Sequence, residues 1–133
     1  VSKQTTKQLS QQALAQEWQD LSRRYAAVSA ALGRELYERH GLSLHEFEVL
    51  ARLAGEDHEQ HRMQELADAA QLTQSALSRL IGRLEQEGLV KRSMCDSDRR
   101  GIYACLADSG LERYEEALPT YRAVLAESLA DAR

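Results

Sequence analysis

The sequence predicts a mainly α-helical protein with one small β-hairpin, and three observations carry that reading. Ala and Leu abound while aromatic residues make up 5% of the 133 residues, a composition that favours helices. Apolar stripes at helical spacing occupy both ends of the chain. Between them, Leu66 to Leu106 reads as helix, tight turn, helix, strand, charged hairpin tip and strand. That order is the winged helix-turn-helix, and the length fits one domain.

From the start, Val1 to Gln12 is polar and frays at its beginning. A long helix follows over about Leu9 to His40, with Trp18, Leu21, Tyr25, Val28, Leu32 and Leu36 three and four apart. This stripe exceeds two heptads, more than a small domain covers by itself, so part reads as core and the remainder as subunit contact. Gly41 ends it. Ser43 and Glu46 then form a capping box, with Leu42 and Phe47 as a hydrophobic staple. The second helix runs to about Ala54 and turns Phe47, Leu50 and Leu53 inward. After an acidic loop (Gly55 to His61), Arg62-Met63 leads a short strand. A third helix, Gln64 to Ala70, starts on a poor cap and buries Leu66, Ala67 and Ala70. Gln71 in the turn costs on the order of 1 kcal/mol if its φ is positive.

The fourth helix, about Thr73 to Glu87, has the clearest signals. Thr73 is a good N-cap, Leu72 and Leu77 staple its entry, and Gly88 supplies a left-handed stop. Leu77, Leu80, Ile81 and Leu84 make one buried stripe. Away from it lie Thr73, Gln74, Ser75, Ser78, Arg79 and Arg83, the small, amide and guanidinium groups that a helix needs to read base edges in a major groove. Its first N–H groups also favour phosphate. By itself this is also what a solvated helix face looks like. The hairpin that follows, with strands at Leu89 to Ser93 and Ile102 to Leu106, shifts the balance. Asp96, Ser97 and Gly101 form its turn, and Arg99 and Arg100 stand at the tip. Arginine suits a narrow, electronegative minor groove, and Asp98 is placed to orient the pair.

These residues resemble the MarR family of transcriptional regulators. The resemblance rests on Leu84-Glu85-Gln86-Glu87-Gly88-Leu89-Val90 after a capped helix and on Asp98-Arg99-Arg100 in the wing. It covers nearly the whole chain. Three departures from the pattern stand out: Gln71 where Gly is frequent, Ala107 where Thr caps the next helix, and Gln64 where Ser or Thr is usual. Asp108 or Ser109, the latter with Glu112, is left to cap the last helix.

That last helix, Ser109 to Arg133, carries Leu111, Tyr114, Leu118, Tyr121, Leu125 and Leu129 on its apolar face, and Pro119 predicts a kink or a break. Residues 1–40 and 109–133 thus read as dimerisation helices around a winged region at 43–106. A two-fold dimer presents two reading helices and two wings to a pseudo-palindromic duplex, and the resemblance implies the same dimer. The charge agrees. The chain is −4 overall, but residues 71–106 hold six basic groups against four acidic ones, net +2, while each flank is −3. Local field matters more than the total for a polyanion, and so modest an excess implies salt-sensitive binding.

Other classes are weaker. No apolar run is long enough for a membrane span and residues 1–17 do not read as a signal peptide, so a cytoplasmic protein without membrane partner is expected. No phosphate loop or nucleophile elbow occurs, so neither enzyme activity nor a cofactor is expected. His58 and His61 beside Asp57 and Glu59 lack a clear metal geometry, and no metal site is assigned. Cys95 and Cys105 flank the wing, where a disulfide is disfavoured in the cytosol; an oxidation switch at Cys95 is one alternative. Another is a winged-helix protein-interaction subunit that never touches DNA. The resemblance also implies a repressor released by a small-molecule, possibly aromatic, effector held between the dimerisation helices and the winged region. Trp18, Tyr25 and Phe47 are the candidates to line that pocket, against the plainer reading of core or dimer packing.

Overall fold

The computed structural model describes residues 2–55, 61–94 and 102–131. Helix α1 (Ser2–His40) starts seven residues before the expected Leu9 and is about 58 Å long. It ends on Gly41 at φ 68°, where Gly41 N–H donates to Tyr37 O at 2.9 Å and Leu42 N–H to Leu36 O at 3.4 Å. Only a residue free of Cβ strain closes a helix this way cheaply.

Helix α2 (Leu44–Leu53) opens with the expected capping box. Ser43 Oγ accepts from Glu46 N–H at 3.1 Å, and Glu46 Oε1 accepts from Ser43 N–H at 2.7 Å. Strand β1 (His61–Arg62) and helix α3 (Met63–Ala70) each begin one residue before expectation, because Arg62, with no side-chain cap bond, takes the extended N-cap conformation. Gln71 then sits at φ 57°, ψ 41°, the left-handed conformation that glycine adopts more cheaply.

Helix α4 (Gln74–Gln86) is capped by Thr73, whose Oγ1 accepts from Ala76 N–H at 3.1 Å. Gly88 at φ 77° ends it, with Leu89 N–H donating to Leu84 O at 2.9 Å. Strands β2 (Val90–Met94) and β3 (Ile102–Leu106) pair antiparallel, and β1 adds to the other edge of β3 for a sheet order of β1-β3-β2.

Helix α5 (Asp108–Asp131) runs through Pro119 as one element, so the two separate helices that the proline allowed are not formed. Proline leaves the Glu115 carbonyl without its usual donor, and this loss falls on a stretch where Glu115 and Pro119 are both exposed. Nor does Ser109 cap this helix. It lies inside the first turn and its hydroxyl donates to Gly88 O at 2.6 Å.

The core gathers Leu36, Phe47, Leu50 and Leu53 from the first two helices, Leu42 from the link between them, Leu66 from α3, and Leu77, Ile81 and Leu84 from α4. It closes with Leu89, Val90 and Ala104 from the hairpin and Ala117 from α5. The apolar stripe of α1 divides as the sequence suggests. Leu32 and Leu36 are buried, whereas Leu9, Leu14, Trp18, Leu21 and Tyr25 are 55–68% exposed. Arg113 Nη1 donates to His40 O at 3.1 Å, and His40 Nε2 and Thr120 Oγ1 share a 2.8 Å bond, which fastens the end of α1 to α5. No described helix is long and apolar enough to cross a membrane.

Candidate nucleic-acid interface

The two sides of α4 have opposite characters. Leu77, Ile81 and Leu84 are at most 1% exposed, which fixes the helix against α3 and the sheet. The same packing turns Thr73, Gln74, Ser75, Arg79 and Arg83 to solvent and leaves Ser78 half-buried. Five of the six residues chosen from sequence are therefore exposed over the N-cap and the first three turns. Thr73 uses an oxygen lone pair on Ala76, which leaves its hydroxyl hydrogen to donate outward.

Arg83 has a second attachment. Its Nε faces Glu46 Oε2 at 3.6 Å; the Glu46 side chain is 4% exposed and that of Arg83 56% exposed. Glu46 thus caps α2 with one oxygen and points the other at the reading helix. A carboxylate with one oxygen buried and without a hydrogen bond is costly unless a cation stands nearby, so Arg83 serves packing as well as the surface. The sequence showed Glu46 as a cap only, because nothing local indicates its partner 37 positions away.

Asp98, Arg99 and Arg100 of the wing tip lie outside the described residues, as does Cys95, and so do Asp57, His58 and Glu59 of the loop before β1. The strands that carry the tip are described, and their register is fixed: Val90 faces Leu106, Lys91 Cys105, Arg92 Ala104 and Ser93 Tyr103. Alternation puts Val90, Arg92, Ala104 and Leu106 on the face toward α4, and Lys91, Cys105 and Tyr103 on the other. On that other face Arg62 Nε donates to the Tyr103 hydroxyl at 3.2 Å and its guanidinium lies 5.8 Å from the ring centroid.

The three residues proposed to line an effector pocket are not brought together within the chain. Phe47 is buried, while Trp18 and Tyr25 stand exposed on α1. A cavity of about 300 Å³ lies instead between α2, α3 and α5, walled by Phe47, Ala51, Ala70, Tyr114, Leu118 and Tyr121, with Glu48 and Arg52 among its lining. The Phe47 ring stacks on Tyr114 at 5.4 Å and tilts against Tyr121 at 4.5 Å between centroids. Burial first, then the Glu48 carboxylate and Tyr114, raises the Tyr121 phenol above its ordinary range. Tyr114 and Tyr121 are legible in the sequence as an apolar stripe, which by itself does not distinguish core from cavity wall.

Comparison with known proteins fits this geometry. The family model described as "MarR family" matches residues 42–102. The transcriptional repressor MdtR of Bacillus subtilis is 32% identical over 96 residues, covering 72% of this chain and 61% of the repressor's own length. The chain therefore spans less than two thirds of that relative. Among solved structures, Sco3205 of Streptomyces coelicolor, a MarR family transcriptional regulator in complex with DNA, is 31% identical with a TM-score of 0.81, over 88% of this chain and 73% of that one. CouR of Rhodococcus jostii RHA1, bound to p-coumaroyl-CoA, is 29% identical with a TM-score of 0.71, over 80% and 73% of the two chains. With its capped reading helix, three-stranded sheet and flanking long helices, this chain belongs to the MarR family of transcriptional regulators.

Proposed function

We propose that the protein is a cytoplasmic, homodimeric, sequence-specific DNA-binding regulator, acting as a repressor on a pseudo-palindromic duplex. The observation that carries this reading is the capped α4 helix, whose polar face of Thr73, Gln74, Ser75 and Arg79 stands open beside a hairpin. Those four residues and Ser78 meet base edges or adjacent phosphates in the major groove. Arg83, steadied by Glu46, meets a phosphate. Arg99 and Arg100, oriented by Asp98, enter the minor groove. The exposed apolar surface of α1 pairs with a second copy, which supplies the second reading head, and DNA contact by two heads multiplies affinity.

A small aromatic effector is placed in the cavity between α2, α3 and α5, where Phe47, Tyr114 and Tyr121 supply faces for a ring and Arg52 a cation. Its occupancy biases the separation of the two reading heads. The name of CouR's bound ligand, a hydroxycinnamoyl thioester, supports an aromatic effector of this kind.

The test is fluorescence anisotropy of a labelled duplex from the protein's own promoter region across a salt series, for wild type, Arg79→Ala and Arg100→Ala. Affinity should fall steeply with salt and weaken in both variants. No binding at low salt, or binding indifferent to both arginines, points instead to a protein-interaction subunit.

A further inference from the structure

The inward face of β2 carries one residue that an apolar pattern does not call for. Val90, Ala104 and Leu106 on that face are apolar, and Val90 and Ala104 are at most 3% exposed. Arg92 shares the face, two residues along from Val90, with its side chain 28% exposed. Its guanidinium does not turn out to solvent. Nη2 donates to the Ser78 main-chain carbonyl at 2.9 Å, and Nε, buried and without a hydrogen bond, faces Glu85 Oε1 at 3.2 Å as an ion pair. Both partners belong to α4.

The geometry of that helix makes the grip specific. Ser78 and Glu85 are two turns apart on nearly one face. A helical carbonyl points toward the C-terminus, and a side chain leans toward the N-terminus, so the two acceptors converge on the turn between them. That turn holds Gly82, where a Cβ would lie 3.9 Å from Arg92 Nη2. The guanidinium thus lies against bare helix backbone, bridging a carbonyl on one side and a carboxylate on the other.

We propose that Arg92 is a positioning residue for operator recognition: it locks the rotation of α4 about its own axis relative to the hairpin strands, and so sets the direction in which the base-reading face of α4 points. The Ser78 carbonyl it holds belongs to the reading segment itself. A rotation of 20° about the helix axis moves side-chain tips by about 2 Å, given a radius of about 5.5 Å. Base-edge hydrogen bonds do not survive such a shift, whereas attraction to phosphates, which needs only charge in the groove, does. Specific binding therefore depends on the lock and non-specific binding does not.

The inference rests on the proposed DNA binding, and the experiment separates the two. A duplex selected from a random pool by the wild-type protein and an unrelated duplex are titrated over a salt series with wild type, Arg92→Gln, Arg92→Lys and Glu85→Gln. Arg92→Gln should weaken the selected duplex by roughly 10- to 100-fold, the worth of about one base-edge pair. Affinity for the unrelated duplex and the slope of log affinity against log salt should stay at their wild-type values. Arg92→Lys should not rescue, because an ammonium cannot span both acceptors. Glu85→Gln should show the same pattern more weakly, without emptying the half-buried Arg92 site, and it carries the test if Arg92→Gln fails to fold. A salt slope lower by about one, with both duplexes weakened together, would make Arg92 a phosphate contact and overturn the proposal, as would wild-type discrimination in Arg92→Lys and Glu85→Gln. Failure of the wild type to select or bind any duplex sinks the DNA-binding reading instead.

Discussion

Gly110 is the position where one added carbon should do most harm. It is buried in the first turn of α5, directly against the chain that leaves the reading helix. A Cβ there would meet Leu106 Cδ1 at 2.8 Å and the Leu89 carbonyl carbon at 3.0 Å, with the Leu89 oxygen nearer still. Ordinary carbon–oxygen contacts need about 3.3–3.6 Å, so two backbone segments must separate by on the order of 1 Å. The Leu106 side chain can rotate, but the Leu89 carbonyl cannot, because it already accepts from Ala107 N–H at 2.9 Å and follows the Leu89-to-Leu84 bond that closes α4. Overpacking costs about 1–3 kcal/mol and the strained Ala107 bond about 1 kcal/mol, offset by less than about 1 kcal/mol of helix propensity. Gly110→Ala should therefore destabilise by about 1–3 kcal/mol. Urea unfolding at one fixed protein concentration measures this, since association shifts apparent stability. Gly82→Ala is the control: its Cβ would meet only the tip of Arg92 at ordinary contact distance, and a helix interior gains up to about 1 kcal/mol from that exchange. The reasoning fails if Gly110→Ala unfolds within about 0.5 kcal/mol of wild type, or if the two variants shift alike.

Two further outcomes follow from local conformation and charge. Gln71→Gly should stabilise by about 0.5–1 kcal/mol, because the left-handed backbone at φ 57° is strained for glutamine and free for glycine; thermal unfolding reads the sign, and a fall in midpoint refutes it. The raised phenol of Tyr121 makes the folded state hold a proton that the unfolded chain releases from about pH 10 upward. That contribution is complete below pH 10 and is lost as pH rises through the folded value. Tyr121→Phe should therefore remove part of the alkaline loss of stability, measured as unfolding midpoints between pH 9 and 11, and identical pH profiles would count against it.

What the sequence could announce were devices written within a few residues. The Ser43–Glu46 box, the Thr73 cap and the glycine stops at 41 and 88 each need only local chain, and all stand where the pattern put them. Boundaries set by burial moved instead. Helix α1 extends to Ser2 through residues without an apolar rhythm, and Pro119 stays inside α5 because its lost hydrogen bond falls on the solvent side. The site divides likewise. The polar face of α4 is legible as the complement of its apolar stripe. The Arg83–Glu46 pair and the grip of Arg92 on Ser78 join residues 37 and 14 positions apart, and no periodicity encodes which cation meets which acceptor. A signal was present for Arg92 alone: a charged residue in phase with Val90 on the buried side of a strand requires a partner across the sheet.

These distant links share one geometry, and it bears on how an effector could reach DNA. Glu46 ties α2 to Arg83, Arg92 ties the hairpin to Ser78 and Glu85, and the Ala107–Leu89 and Ser109–Gly88 bonds tie the start of α5 to the end of α4. Helix α4 is thus held along its length by α2, the hairpin strands and the start of α5. Close packing already fixes the helix against its neighbours, and the hydrogen bonds to Ser78, Gly88 and Leu89, with the ion pairs at Arg83 and Glu85, couple its movement to that of its supports. Two of those supports, α2 and α5, are also walls of the aromatic cavity. A ligand that spreads Phe47 from Tyr114 and Tyr121 therefore displaces the anchors of α4 and not the helix surface itself. Under the proposed function, that arrangement would let the polar face of α4 keep its own geometry in both states, while the spacing between two copies of the helix carries the signal.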